Sequence, residues 1–260
     1  MTTHQMNAAM TDAVLAEVVN ENVLVITLNR PTVKNAIDSA VSQGLLAAIE
    51  TLDSDPTLRV GVLTGAGGTF CAGMDLKEHA RVGKPHGAQL LLRQGAKKPL
   101  VAAIEGFALG GGLELALIAD VLVAASDAQL GLPETRVGLF PSGGAIYRLY
   151  GALPTPLIAE LVLTGERISA ERAHHFGLVS RITPPGEAVS EALKLAALIS
   201  RSAPLALAAC KDLLRKAPES TTDEFWQRQR ELSTAVQVSE DASEGAAAFA
   251  ERRQPQWRNR

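Results

Sequence analysis

The sequence predicts an α/β protein in which strands alternate with helices over residues 13–184, followed by a helical module over residues 185–260. Three observations predict this fold class. Short runs rich in Val, Leu and Ile alternate with segments whose apolar residues recur at helical spacing, which favours parallel strands joined by crossover helices. Glycine-rich turns follow several of these runs. Strand patterns end at Pro184, and only helical patterns continue beyond it.

Length and composition allow a full hydrophobic core. The chain has 260 residues, of which 47% are hydrophobic, so it can bury one large α/β domain. The 22 glycines and 13 prolines suit many short elements joined by tight turns. Because the net charge is −3, no general excess of Lys and Arg can neutralise phosphates, and we expect no nucleic-acid partner.

Cysteine usage and the N-terminal residues indicate a cellular compartment. Cys71 and Cys210 lie far apart without metal-ligand spacing, which is typical of reduced thiols. Residues 1–10 lack a basic region followed by an apolar one, and no apolar run approaches the roughly 20 residues that span a bilayer. We therefore expect a cytoplasmic protein without a membrane partner, in which residues 1–12 are disordered.

The first half of the chain contains a predicted hairpin, then a helix and three strands. Residues 13–19 and 23–28 form the hairpin, because Asn20-Glu21-Asn22 separates two β-rich runs. Asp38 is a plausible N-cap for a helix that continues to about Asp53. Predicted strands then cover residues 59–64, 100–104 and 120–124, with a short helix at 90–92. The polar segment between Asp75 and Gly87 is expected to be irregular and mobile.

The second half contains one more short strand and then mostly helices. Residues 128–132 are the strand, and a glycine-rich turn opens a helix ending at Leu149. Thr155 followed by Pro156 predicts an N-cap with proline at the first helical position. Further helices are predicted at 169–176, at 186–200, at 203–216, from Thr221 with Glu224 as its capping box, and from Ser239 to about Arg253.

The stretch from Gly106 to Leu115 reads Gly-Phe-Ala-Leu-Gly-Gly-Gly-Leu-Glu-Leu and lies between a strand and a helix. Consecutive glycines let a ligand approach the peptide N–H groups, and a helix N-terminus favours negative charge. A phosphate-binding P-loop is excluded because no lysine follows Gly111, and the dinucleotide spacing is absent. At this point an anion site and a close-packed turn without chemistry both remain open.

A second glycine-rich loop follows the strand at 59–64 and ends in Cys71-Ala-Gly-Met74. Two such loops can direct backbone N–H groups from both sides towards one oxygen. The candidates are the N–H groups of Met74 and Gly111, which together would stabilise a developing oxyanion.

The ordered set of motifs resembles the crotonase superfamily, and most of all its enoyl-CoA hydratases. The resemblance covers nearly the whole chain. The motifs that carry it are Asn29-Arg-Pro31 with Asn35-Ala36, the loop from Leu63 to Leu76, the stretch from Gly106 to Leu115, Pro133-Glu134 with Gly138 and Pro141-Ser-Gly-Gly144, and the ending from Phe249 to Trp257.

The resemblance implies a fold, an assembly and a substrate. The fold is a crotonase-like spiral of ββα units with a C-terminal α-helical trimerisation module. The assembly is a homo-oligomer, either a trimer or a dimer of trimers. The substrate is an acyl-CoA thioester whose oxygen lies between the N–H groups of Met74 and Gly111. Coenzyme A is then part of the substrate, and neither a metal nor a redox cofactor is needed.

The resemblance also implies which residues bind coenzyme A. Lys34 matches the position of a basic residue near the phosphates, although a solvated loop lysine is an equally good interpretation. The adenine is expected to contact mainly backbone. The residues expected to form this binding surface are Lys34, Ala36, Ala72, Gly73, Met74, Asp75 and Leu76.

Two glutamates match those that flank the substrate double bond in the hydratases. Glu114 stands one turn into the helix that follows the glycines, and Glu134 follows it by 20 residues. By resemblance, Glu134 chiefly delivers the proton to Cα, and Glu114 binds and activates the water. Taken alone, Glu114 could be only a favourable acid at a helix N-terminus and Glu134 only a loop carboxylate.

The sequence therefore predicts reversible hydration of a trans-2-enoyl-CoA to a 3-hydroxyacyl-CoA. Alternatives are enoyl-CoA isomerisation, dehydration of a specialised hydroxyacyl-CoA, and acyl-CoA binding without catalysis. Met74 stands where many short-chain hydratases have alanine, so its larger side chain is expected to affect substrate choice. His174 and His175 lack partners at metal-ligand spacing. Ser142 lacks the Gly-x-Ser-x-Gly context of a serine hydrolase.

Overall fold

The computed structural model of the protein describes residues 12–83 and 88–260. Residues 1–11 of the segment expected to be disordered lie outside the described residues, and so do residues 84–87 of the segment expected to be mobile.

The strands are β1 Val14–Val19, β2 Val23–Leu28, β3 Val60–Gly65, β4 Leu100–Ile104, β5 Phe107–Leu109, β6 Val121–Ala125, β7 Gln129–Gly131, β8 Arg167–Ser169 and β9 Arg181–Thr183. The helices are α1 Ser39–Ser54, α2 Leu76–Val82, α3 Ala88–Gln94, α4 Gly111–Ala116, α5 Ala145–Tyr150, α6 Thr155–Thr164, α7 Ala170–His175, α8 Ala188–Ile199, α9 Pro204–Lys216, α10 Thr222–Gln237 and α11 Glu240–Glu251, with 3-10 turns at Pro31–Val33 and Pro133–Val137.

The main sheet has six strands in the order β1-β2-β3-β4-β6-β9. The predicted hairpin is confirmed, since β1 and β2 pair antiparallel from Val14 opposite Leu28 to Val19 opposite Val23. All the other pairs in this sheet are parallel. The carboxyl ends of β3 and β4 therefore lie side by side, and the two glycine-rich loops leave the sheet at the same edge.

A second sheet has three short strands in the order β5-β7-β8. The strand β5 lies inside the stretch that was interpreted as a turn, and neither β8 nor β9 was predicted. Each of these strands has three residues, which is too short for alternation of apolar and polar side chains to give a signal. The second sheet matters for function because β5 leads directly into the glycines before α4.

Both faces of the main sheet are buried, as expected for parallel strands. On one face, α1 buries Val41, Leu45, Ala48 and other side chains in the larger core cluster. The other face packs against α8, whose buried alanines recur every fourth residue. The helix α8, which follows residue 184, is thus packed on the sheet, while the division into 13–184 and 185–260 stays a prediction.

Helix caps test the predicted boundaries directly. Asp38 accepts a hydrogen bond from the N–H of Val41, and the capping box of Thr221 and Glu224 is formed, so both predictions are confirmed. The prediction for Thr155 is wrong, because Pro154 occupies the N-cap and its carbonyl already accepts the N–H of Ile158.

The segment after Asp75 is more regular than predicted, because α2 covers its first part. The Asp75 carboxylate accepts a hydrogen bond from the N–H of Glu78, which caps the helix. The Glu78 carboxylate in turn accepts a hydrogen bond of 2.6 Å from the Ser39 hydroxyl at the start of α1. The missed helix therefore depends on one cap and one contact that is distant in sequence.

The helices α9 to α11 leave large apolar side chains exposed. Leu214 is 72% exposed, Val238 80% and Phe249 88%. Lys211 of α9 is buried by contrast, and its ammonium group donates to the carbonyl of Lys98 and to the carboxylate of Asp120. Within the described ranges, no single helix is long and apolar enough to cross a bilayer; α8 and α9 meet the criterion only as a pair bent by 113°.

Candidate active site

An isolated parallel bridge joins the two glycine-rich loops. Cys71 pairs with Ala108 of β5, and Leu109 donates its N–H to the Cys71 carbonyl at 3.0 Å. Met74 and Gly111 each stand three residues beyond this bridged pair, so the bridge brings them level with each other. A Cβ placed on Gly111 would lie 3.6 Å from the amide nitrogen of Met74.

Two other glycines make this close approach possible. A Cβ on Gly112 would lie 2.4 Å from the Cys71 carbonyl oxygen, which no real side chain tolerates. Gly73 has φ +104°, and a Cβ there would lie 2.8 Å from the carbonyl oxygen of Leu109. Any side chain at Gly73 or Gly112 would therefore push the Met74 loop away from α4.

The amides brought together are free to bind a ligand. Among the described residues, neither the N–H of Met74 nor that of Gly111 donates to a protein acceptor outside the regular elements. Gly111 is the first residue of α4, where an N–H has no partner within the helix. The neighbouring Gly110 amide is already used, since it donates to the carbonyl of Gly131. Two adjacent donors thus point to the kind of site in which a single oxygen accepts two hydrogen bonds.

Glu114 is held on α4 with little exposure to water. Its side chain belongs to a residue that is only 5% exposed. The N–H of Gly143 donates to its Oε1 at 2.6 Å, and the N–H of Ala145 does so at 3.4 Å. These amide contacts fix the orientation of the Glu114 carboxylate.

Glu134 lies in the 3-10 turn Pro133–Val137, and its carboxyl group differs from that of Glu114 in its hydrogen-bond partners. Its buried Oε2 has no hydrogen-bond partner among the described residues. The pKa of Glu134 is raised to about 7: burial is the largest cause, the charge of Glu114 adds to it, and a hydrogen bond from its own backbone N–H acts against it. The two carboxyl groups therefore differ: Glu114 accepts backbone N–H donors, whereas Glu134 holds a proton near neutral pH more readily than an exposed glutamate does.

One cavity of about 420 Å³ contains both carboxyl groups and both free amides. It is lined by seven of the residues predicted for the site, namely Ala72, Gly73, Met74, Leu76, Gly111, Glu114 and Glu134. Apolar side chains form most of its remaining walls: Ile37, Leu92, Pro133, Val137, Leu139 and Phe140.

Three predicted residues do not line this cavity: Lys34, Ala36 and Asp75. The Lys34 ammonium lies 5.8 Å from the centre of the Phe107 ring, and the Arg167 guanidinium lies 4.8 Å from the same ring. The Ala36 carbonyl and the Asp75 carboxylate both accept hydrogen bonds from Arg30. The side chain of Asp75 therefore holds the loop together in addition to capping α2.

Besides the other apolar wall residues, the structure brings Leu92 and Arg148 to the site, and sequence reasoning missed both. Leu92 lines the cavity from α3. Arg148 of α5 lies behind it and donates to the carbonyls of Gly143 and Leu92. The glycine-rich motifs identified the neighbouring loops, but nothing in the sequence distinguishes a leucine or an arginine in a short helix as a site residue.

Histidines and acidic residues are also candidate metal ligands. No group of three or more His, Cys, Asp or Glu side chains with metal-binding geometry occurs among the described residues. The Nδ1 atom of His174 is within 2.7 Å of the Val179 carbonyl, which is a local structural contact.

Comparison with known proteins places the fold and the site in context. The family model described as enoyl-CoA hydratase/isomerase matches residues 18–260. The carnitinyl-CoA dehydratase of Salmonella arizonae is 40% identical over 251 residues, which is 92% of this chain and 96% of that protein. The 2,3-dehydroadipyl-CoA hydratase of Escherichia coli K12 is 39% identical over 248 residues, 92% of this chain and 96% of that protein. The crystal structure of the enoyl-CoA hydratase EchA1 from Mycobacterium marinum matches with a TM-score of 0.91 and 43% identity, over 96% of this chain and all of that one.

Proposed function

Because the chain belongs to the enoyl-CoA hydratase/isomerase family, the crotonase superfamily, and is a hydro-lyase that acts on acyl-CoA, we propose that it reversibly hydrates a trans-2-enoyl-CoA to a 3-hydroxyacyl-CoA. The predicted fold class is confirmed by the match to structures of the same fold. The observation that carries the proposal is the convergence of two free amides and two glutamates in different environments in one cavity.

The amides of Met74 and Gly111 bind the thioester oxygen in this proposal. When water adds to Cβ, the electron pair of the double bond moves onto the thioester and an enolate oxyanion develops. Two backbone donors at that oxygen are already oriented by the Cys71–Ala108 bridge, so no reorganisation is needed as the charge forms. Each such donor contributes about 2.7–4 kcal/mol of barrier lowering.

The two glutamates divide the proton transfers. Glu114, ionised and aimed by Gly143, removes a proton from water as the water oxygen bonds to Cβ. Glu134, protonated near pH 7, gives its proton to Cα, and the oxyanion collapses to the thioester. Glu114 has then accepted one proton and Glu134 has released one. Passage of a proton from Glu114 to Glu134 restores the starting enzyme, so the net reaction consumes only water. The raised pKa of Glu134 supports its role as the acid.

We also propose that the acyl group is an uncharged, apolar one. Aliphatic side chains and Phe140 form most of the cavity wall. Arg136 is the one cationic side chain among the described lining residues, and Glu166 already pairs with it. A carboxylate at the end of the acyl chain would therefore have no uncommitted positive charge to meet.

A substrate screen tests the reaction and the acyl class together. Loss of enoyl-thioester absorbance is followed with crotonyl-CoA, with longer unbranched trans-2-enoyl-CoAs and with 2,3-dehydroadipyl-CoA. We expect turnover of the apolar substrates and at least about 10-fold lower kcat/KM for the carboxylated one. Preference for dehydroadipyl-CoA would contradict the acyl assignment. Shift of a 3-enoyl-CoA double bond without hydration would favour an isomerase, and binding without turnover would favour a non-catalytic homologue.

Coenzyme A is proposed to bind beside the cavity, against the loop from Ala72 to Leu76 and near Lys34 and Ala36. Backbone groups of this loop are held by the carbonyl of Lys34, which accepts the N–H of Ala72 at 2.9 Å. If the Lys34 ammonium meets a phosphate, Lys34→Ala raises KM about 10-fold at low salt and leaves kcat unchanged. An unchanged KM would support the interpretation of Lys34 as a solvated lysine.

A homo-oligomer, a cytoplasmic location and chemistry without metal or redox cofactor complete the proposal. The exposed apolar side chains of α9 to α11 support self-association, because 72–88% of Leu214, Val238 and Phe249 would otherwise face water. The free cysteines Cys71 and Cys210 suit a reducing compartment. Light scattering on a size-exclusion column should give the mass of a trimer or of a dimer of trimers, and a monomer at micromolar concentration would contradict the assembly.

A further inference from the structure

We propose that Arg148 is a positioning residue for this reaction, which holds Gly143 and Leu92 against Glu114 so that the Glu114 carboxylate is aimed at the water. The inference rests on the proposed hydration. Arg148 does not line the cavity, so it acts on the substrate only through these neighbours.

Gly143 is fixed at both of its polar groups. The Arg148 Nη1 donates to the Gly143 carbonyl at 3.1 Å. The N–H of Gly143 donates to Oε1 of Glu114 at 2.6 Å. One residue without a side chain therefore links the guanidinium group to the carboxylate, and a rotation of either peptide group would disturb the contact with Glu114.

Leu92 is the second neighbour that Arg148 holds. The Arg148 Nη2 donates to the carbonyl of Leu92, in the last turn of α3, where carbonyls have no partner within the helix. A Cβ placed on Gly143 would lie 2.5 Å from both Cδ1 of Leu92 and Oε2 of Glu114. Leu92, Gly143 and Glu114 thus pack without spare room, and the two hydrogen bonds of Arg148 keep the first two in place.

The positive charge of Arg148 also interacts with Glu114. Burial and the charge of Arg215 on α9 lower the pKa of Arg148, while Glu114, Tyr147 and Glu219 oppose this shift. A guanidinium group remains charged at any working pH. Arg148 therefore places a positive charge that interacts with the Glu114 carboxylate.

This arrangement predicts a specific kinetic signature. Binding of the thioester and of coenzyme A does not involve Arg148, so KM should be retained. Loss of Arg148 should misorient the water that Glu114 holds, and a misplacement of a reacting group by about 1 Å lowers the rate about 100-fold. A loss confined to kcat separates positioning from general loss of structure.

The test compares Arg148→Gln and Arg148→Lys with the matched control Arg172→Gln. Arg172 also makes a two-pronged contact, but with the exposed Glu160, and neither residue lines the cavity. We expect kcat to fall about 10- to 100-fold in Arg148→Gln with KM within about two-fold of wild type. Arg148→Lys keeps the charge and reaches one carbonyl, so its kcat should be intermediate, and Arg172→Gln should match wild type.

Three results would overturn the role of Arg148: a wild-type kcat in Arg148→Gln, a rise in KM with kcat unchanged, or an equal loss in Arg172→Gln. If Arg148→Gln does not fold, Arg148→Lys decides, since a wild-type kcat there removes the need for the two-carbonyl contact. Failure of the hydratase proposal is distinct, because the wild-type enzyme itself would then not hydrate any enoyl-CoA.

Discussion

Glu114 and Glu134 line one cavity but differ in what surrounds their oxygens. Glu114 accepts two backbone N–H groups, whereas Oε2 of Glu134 is buried without a partner in the described structure. Burial, and the nearby charge of Glu114, raise the pKa of Glu134 to about 7. Glu134 therefore holds a proton near neutral pH far more readily than an exposed glutamate does.

Replacing Glu134 by Gln should remove the acid without removing the fold of the turn. We expect kcat to fall by about 10²–10⁴ with KM little changed, because proton transfer is lost while the thioester contacts remain. The measurement is enoyl-CoA hydration followed by absorbance. Glu160→Gln, a change in an exposed carboxylate paired with Arg172, is the matched control and should keep the wild-type rate. A fully active Glu134→Gln variant would refute the assignment.

The pH dependence of kcat/KM should reflect the protonation of Glu134. Hydration takes up no net proton, so kcat/KM for hydration and for dehydration must depend on pH in the same way. We expect a bell-shaped profile whose alkaline limb falls near pH 7, where Glu134 loses its proton, and whose acid limb reports protonation of Glu114. An alkaline limb well above pH 9, or none, would show that Glu134 does not act as the acid.

Glu134 should also cost stability at alkaline pH. The pKa of Glu134 is about 7 in the folded protein, compared with 4.5 for an unperturbed glutamate such as that of the unfolded chain. The contribution of Glu134 to the free energy of unfolding is therefore fully present below pH 4.5 and is lost as the pH rises through 7. Above that pH, Glu134→Gln should unfold with a free energy higher than wild type by about 1–3 kcal/mol, and at about pH 4 the difference should nearly vanish. Urea unfolding at fixed protein concentration measures both, and a difference independent of pH would contradict the shift.

Gly73 should be far less tolerant of a side chain than Gly68 on the same loop. Both have positive φ, +104° and +69°, so Ala at either position incurs backbone strain. Only at Gly73 would the new Cβ press on Leu109, at 2.8 Å, whereas nothing lies within 4 Å at Gly68. We expect Gly73→Ala to lose about 10²–10³ in kcat by separating the two amides, and Gly68→Ala to lose stability alone. Equal kcat in both variants would argue against the two-amide site.

Met74 should set acyl selectivity through its side chain and charge stabilisation through its backbone. Met74→Ala leaves the N–H in place, so kcat with crotonyl-CoA should stay within about three-fold of wild type. The enlarged cavity should raise kcat/KM for longer acyl chains relative to crotonyl-CoA by about 10-fold. A collapse of activity with every substrate would show that the thioether itself is needed.

The sequence was sufficient where local chemistry decides the structure. Asp38 and the Thr221–Glu224 capping box use short-range hydrogen bonds, and both helices begin where these residues predict. The two glycine-rich loops were also identified, because runs of glycine after an apolar strand have few other uses. Most predicted strands and helices are present for the same reason, with ends that differ by a few residues.

Long-range contacts explain what could not be predicted. Phe107–Leu109 becomes a strand only because Gln129–Gly131 lies beside it. Arg148 has four residues between it and Gly143, yet its importance comes from the carbonyl of Leu92, 56 positions away in the chain. Asp75 was predicted to contact coenzyme A through the backbone, and its carboxylate proves to be paired with Arg30. No local pattern announces such partners.

The bridge between Cys71 and Ala108 has a consequence for how the site can change over evolutionary time. Both proposed oxyanion donors are main-chain groups, so substitutions at Met74 can reshape the acyl cavity without deleting either donor. Gly73 and Gly112, by contrast, have no room for a Cβ and must remain glycine, although neither contributes a side-chain group. Substitutions in the cavity wall can therefore change the acyl group that fits, while the proposed stabilisation of an enolate depends on the absence of a side chain at these two glycines.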